Sequence, residues 1–172
     1  MSVILLADDS PHAQRMGESI LSGEGYQVVG AADGETAALR LAEADPDVVI
    51  ADANLPGLNG IELCRYIKSS CRYARVILTA GQIEEVDESA ARRAGCDAIL
   101  RKPFEASVMI ETLRPLAVKA QQARRASASK APASAVTLQT DDIRAAVEHA
   151  VELELPRFLD ELTQKVLTAL GR

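Results

Sequence analysis

The chain has no tryptophan, and aromatic residues make up 3% of it. A core without large rings must rest on Val, Ile, Leu and Ala, which suits a parallel sheet covered by helices. No apolar run approaches the roughly 20 residues of a membrane-spanning helix, and the N-terminus lacks a signal peptide's basic and apolar regions. A cytoplasmic protein with no membrane contact is expected. Cys64, Cys71 and Cys96 have no metal-ligand spacing, so they read as reduced, structural thiols. There is also no basic stripe: the net charge is −6 and the acids are spread along the chain. That argues against nucleic acid as a direct partner.

What is present is a chain of 172 residues with 48% apolar content, enough for one domain and an appendage. Four polar signatures each follow a short apolar run. Asp8-Asp9 follows Val3–Leu6, Asp52 follows Val48–Ala51, Thr79 follows Val76–Leu78, and Lys102-Pro103 comes after Ile99-Leu100. With a further run near 26–31, these read as five buried strands at about 2–7, 26–31, 47–51, 75–79 and 98–100. Helical patterns at 11–22, 34–44, 59–69, 84–94 and 105–119 fill the intervals. Such alternation predicts an α/β, doubly wound parallel sheet with helices on both faces. The four signatures then share the rim at the strands' carboxyl ends, where such sheets bind ligands.

Three carboxylates, a hydroxyl and an ammonium on one rim are costly to hold together unless a cation offsets the negative charge. Oxygen ligands in a small acidic cluster suit Mg²⁺, which commonly bridges carboxylates to a phosphate. One ionised carboxylate can then attack phosphorus while the lysine and the hydroxyl stabilise the oxygens it acquires. The chemistry indicated is phosphoryl transfer to an aspartate.

Residues 1–119 resemble the receiver domain of bacterial two-component response regulators. The matching stretches are LLADDSP (5–11), DANLPGLNG (52–60), LTA (78–80) and GCDAILRKPF (95–104), with GYQVVGAADGETAAL (25–39) in support. The resemblance implies the flavodoxin-like strand order 2-1-3-4-5. It implies Asp52 as phosphoacceptor, and a Mg²⁺ site made by Asp8, Asp9, Asp52 and the backbone carbonyl of Asn54. It gives Lys102 and Thr79 the role of phosphoryl contacts and makes the Lys102–Pro103 bond cis. The usual switch pairs the threonine with a Tyr or Phe three residues before the lysine. Here that residue is Ile99, so an aliphatic side chain fills the same space or the signal leaves by another route. A sensor histidine kinase or phosphotransfer protein is the implied donor. Enzymatic activity is not expected beyond self-phosphorylation and autodephosphorylation at Asp52, and no DNA-binding or catalytic output domain is recognisable.

The segment 120–136 is rich in Ala and Ser, carries basic residues and no acid, and reads as a linker. Its alanines could instead prolong the preceding helix toward Pro132. Residues 137–172 form a separate tail in which Thr140 or Asp141 is placed to cap a helix. Its apolar stripe is Ile143, Val147, Val151, Leu155, Leu159, Leu162, Val166 and Leu170, interrupted by Pro156. Such a face needs a cover: the receiver, a second copy giving a homodimer, or an output protein of unknown identity. His149 reads as a helix-surface side chain, because so short a tail cannot build a phosphotransfer bundle. His12 reads the same way near the rim.

Two competing functions use the same residues. A phosphorylation-independent pseudo-receiver scaffold would explain Ile99 but has no need of the acidic cluster. An aspartate-nucleophile phosphatase would want an Asp-x-Asp pattern after the first strand, whereas Asp8-Asp9 is an adjacent pair.

Overall fold

The computed structural model describes residues 2–81 and 86–130. Five strands alternate with five helices: β1 (Val3–Ala7), α1 (Pro11–Gly23), β2 (Gln27–Ala31), α2 (Gly34–Ala44), β3 (Val48–Asp52), α3 (Gly60–Ser70), β4 (Arg75–Gly81), α4 (Glu88–Arg93), β5 (Ala98–Lys102) and α5 (Ala106–Lys130). All strand pairs are parallel, and the sheet order is β2-β1-β3-β4-β5. This is the doubly wound, flavodoxin-like topology.

The two-residue period of the strands divides the core between the sheet's faces. Leu5, Val49, Ala51, Val76 and Leu78 pack with Leu41 of α2, Leu63 and Ile67 of α3 and Ala91 of α4. On the other face, Ile4, Leu6, Ile50 and Ile77 pack with Leu21 of α1 and Met109 and Leu113 of α5. The central strand β3 is buried along its whole length, which explains why its sequence reads as a continuous apolar run.

Helix ends follow their local chemistry. The Ser10 hydroxyl caps α1 by accepting from the Ala13 amide, Pro11 occupies the first turn, and Gly25 at φ +83° takes the chain away from the helix end. Asn59 and Glu62 form a capping box on α3. The fourth helix is shorter than the 84–94 expected, because Asp87 caps it by accepting from the Ala90 amide; residues 82–85 lie outside the described set.

Of the two readings of the alanine-rich segment, the prolonged helix holds over its first part. α5 does not stop near Lys119 but continues to Lys130, so 120–130 is helix rather than linker. The alanines that suggested a loose segment are strong helix formers, and two side chains anchor the extension. Ala120 is fully buried. Arg124 forms ion pairs with Asp45 and with Asp47 (3.2 Å), and it lies 4.4 Å over the ring of Tyr73. Asp47 is itself buried and accepts the Val3 amide at 3.2 Å, so Arg124 ties α5 to the start of β1. Residues 131–136 of the expected linker, together with the tail stripe, Pro156 and His149, lie outside the described residues.

The cysteines are free, with Cys64 and Cys71 buried. Burial pushes the Cys64 thiol up to about 12 and raises those of Cys71 and Cys96. Thiols that stay protonated at neutral pH are poor nucleophiles and metal ligands, as a structural role requires.

Removing the Arg124 side chain should strip the buried Asp47 carboxylate of its cation. For Arg124→Ala we expect a loss of about 1–3 kcal/mol in urea unfolding, with faster amide exchange confined to residues after about 118. A loss below about 0.5 kcal/mol, the range of ordinary surface substitutions, would show that the extension does not depend on this anchor.

Candidate functional site

The four signatures meet at one rim. Asp8 directly follows β1, Asp52 ends β3, Thr79 stands opposite Asp52 in β4, and Lys102 ends β5 opposite Gly81. Register therefore brings together residues as much as 94 positions apart, with Lys102 Nζ donating to Asp8 Oδ2 at 2.7 Å. The same ammonium donates to Asp52 Oδ2. Asp8, Asp52 and Thr79 are 5%, 7% and 4% exposed, so all three are buried polar groups that need partners.

Each carboxylate divides its oxygens between backbone and cation. Asp8 Oδ1 accepts the Ser10 amide at 2.9 Å, and Asp52 Oδ1 accepts the Asn54 amide at 2.8 Å. The Lys102 ammonium carries the opposing charge. Its partial burial alone would lower its pKa, but hydrogen bonds and attraction from Asp52 and Asp8 outweigh that and raise it. Lysine is thus charged throughout the neutral range, and the two buried carboxylates with one ammonium sum to −1. Asp9 stands exposed at the rim and adds a further negative charge.

Asn54 is exposed on the loop after β3. The Lys102–Pro103 peptide is cis. Ile99 is half-buried against the core beneath α3 and α4, paired across β4 with Leu78, whereas Thr79 pairs with Leu100. His12 is exposed on α1. Sequence reasoning passed over Gln14, whose amide nitrogen donates to the Ala31 carbonyl at 2.8 Å and also to the Asp8 carbonyl. It ties the Asp8 backbone to β2. A lone glutamine on a helix carries no signal that would have found it.

Beside the cluster, a cleft of about 440 Å³ opens between α1 and the start of α5. Its lining is mostly apolar, including Leu6, Ile50 and Met109, and Asp8, Thr79 and Lys102 supply polar groups.

Among the described residues, no group of three or more His, Cys, Asp or Glu side chains is gathered as a metal cage. Mg²⁺ does not require one, because it retains several waters and takes only one or two carboxylates. Asp8 and Asp52, both buried and sharing a single ammonium, are such a pair. The donor set, all oxygen and net negative, fits the ion.

The profile of the response regulator receiver domain matches residues 4–114. The chain belongs to that family. Over 111 residues the receiver is 34% identical to the DNA-binding response regulator MtrA of Mycolicibacterium smegmatis, a match covering 64% of this chain and 48% of MtrA. It is 30% identical to the sensory/regulatory protein RpfC of Xanthomonas campestris, over 69% of this chain and 17% of RpfC. The chain thus spans about half the length of MtrA, and less of RpfC. Among solved structures, the Vibrio cholerae chemotaxis protein CheY4 superposes with a TM-score of 0.62 at 28% identity, covering 67% of this chain and 98% of CheY4. The receiver domain of a Syntrophus aciditrophicus signal transduction histidine kinase gives 0.63 at 28% identity, covering 69% of this chain and 91% of that one. Receivers of this family work in two-component signalling with histidine kinases or phosphotransfer proteins. Among the described residues, no helix is long and apolar enough to cross a membrane.

The site makes a stability prediction of its own. Lys102→Met leaves Asp8 and Asp52 buried together without a cation, and unfolding in urea at pH 7 should show a loss of about 3 kcal/mol. Adding Asp52→Asn should recover part of it. An additive pair of effects would mean that the ammonium and Asp52 are not coupled.

Proposed function

We propose that this receiver takes a phosphoryl group from a histidine kinase or phosphotransfer protein onto Asp52. The observation carrying the reading is the buried Asp52 carboxylate at the end of the central strand, held to Lys102 and facing Thr79 across the sheet. Burying carboxylates is expensive, and the fold has no structural need of two at one rim of the sheet.

In the proposed step, an Asp52 carboxylate oxygen forms a bond to phosphorus as the bond to the donor imidazole nitrogen breaks, and the imidazole leaves with its electron pair. Asp8, Asp9, Asp52 and the Asn54 carbonyl would hold Mg²⁺, which supplies positive charge at the phosphoryl oxygens. The Asn54 amide, bonded to Asp52 Oδ1, fixes the carboxylate's orientation. Lys102 then shifts one of its donor bonds from carboxylate to phosphoryl oxygen, and the Thr79 hydroxyl donates another. No further enzymatic activity is assigned beyond forming and hydrolysing this acyl phosphate.

The output is proposed to run through protein contacts. The amphipathic stripe from Ile143 to Leu170 is suited to pairing with a second copy or docking in a partner's groove. Ile99, aliphatic where the family resemblance implies an aromatic ring, favours one competing reading, a scaffold that uses the same face without phosphorylation.

Intact-protein mass after treatment with Mg²⁺ and acetyl phosphate separates these readings. We expect one phosphate adduct on the wild type and none on Asp52→Asn. No adduct from either acetyl phosphate or a phosphorylated kinase would favour the scaffold. Deleting residues 136–172 should leave the adduct intact and change elution volume or partner binding; if neither changes, the tail is not the output.

A further inference from the structure

The loop that follows Asp52 is pressed between two glycines, one of them on a helix outside the rim. Gly34 opens α2, and its amide donates to the Pro56 carbonyl at 3.2 Å. A Cβ there would overlap the Leu58 carbonyl oxygen and stand 2.7 Å from the Leu58 carbonyl carbon. Gly60 opens α3, and its amide donates to the Ala53 carbonyl at 3.0 Å. A Cβ there would overlap the carbonyl oxygen of Asp52 itself and stand 2.9 Å from the Ala53 Cα. Both obstacles are backbone, so no rotamer change relieves them. Glycine is also the poorest helix former after proline, so propensity does not account for glycine at either helix start.

We propose that Gly34 and Gly60 are positioning residues for Asp52. By letting two helix starts lie against the 53–59 loop, they hold the carboxylate and the Asn54 amide where Lys102 and Thr79 meet them. The assignment rests on the reading of Asp52 as phosphoacceptor. A carbon–oxygen contact is comfortable at about 3.3 Å or more, so an added methyl must drive the loop off by on the order of 1 Å. Displacements of that size at a reacting group can cost about 10²-fold in rate.

The test compares Gly34→Ala and Gly60→Ala with Gly17→Ala, in which the new Cβ would stand 2.8 Å from the Leu6 side chain in the core. Two quantities are measured on the full chain. The first is the initial rate of acetyl phosphate adduct formation with Mg²⁺. The second is the Asn54 amide resonance, which reports its hydrogen bond to Asp52 without any chemistry. We expect Gly34→Ala and Gly60→Ala to remain folded, to lose about 10- to 100-fold in rate, and to move the Asn54 resonance. Gly17→Ala, whose new Cβ meets only the movable end of the Leu6 side chain, should leave both readouts near wild type.

Wild-type rate and resonance in either variant overturns that residue's assignment. So does an equal rate loss in Gly17→Ala, or loss of the fold in both variants, since the glycines would then be only structural. If the wild type forms no adduct from either acetyl phosphate or a phosphorylated kinase while Asn54 still moves in the two variants, the phosphoacceptor reading fails and the positioning of Asp52 stands.

Discussion

The rim depends on one ammonium. Lys102 reaches Asp8 and Asp52 together, and without it two buried carboxylates on adjacent strands would face each other across a medium that screens charge poorly. The parallel register makes that possible by setting β1, β3, β4 and β5 side by side with their carboxyl ends level. A sheet slipped by one residue would turn Asp52 and Thr79 toward opposite faces. The apolar alternation that separates the two cores therefore also aims the site.

Much of this was legible in the sequence because it rests on local pattern. Apolar runs ending in acid, hydroxyl or lysine located the strand ends, and Ser10-Pro11 located the first helix start. Strand order was supplied by the family resemblance, since periodicity carries no information about which strands are neighbours. The features that sequence reading missed are long-range. Gln14 bonds to the Asp8 and Ala31 carbonyls, Arg124 pairs with acids almost 80 positions away, and Gly34 approaches the Leu58 backbone. None has a periodic signature. The choice between linker and prolonged helix over 120–130 stayed open for the same reason: the segment has little to bury, and Asp45, Asp47 and Tyr73 decide the matter from elsewhere in the chain.

The departure at Ile99 separates two properties that usually travel together. In the proposed function the acid, threonine and lysine set serves chemistry at phosphorus. Under the proposed function, the half-buried Ile99 side chain beneath α3 and α4 stands where a change at Thr79 would be passed toward the surface. Ile99 pairs with Leu78 whereas Thr79 pairs with Leu100, so the two are not a cross-strand pair.

α5, with 25 residues and Pro115 inside it, would be about 37 Å long at the α-helical rise. A helix of that length acts as a lever, and small rotations at its root become displacements of several ångströms at its tip. Arg124, tied to Asp45 and Asp47, removes most of that leverage by fastening the rod close to its far end. A fluorophore placed at Ser127 would therefore travel with the sheet, and its distance to a second label on α2 should serve as a fixed ruler within the receiver.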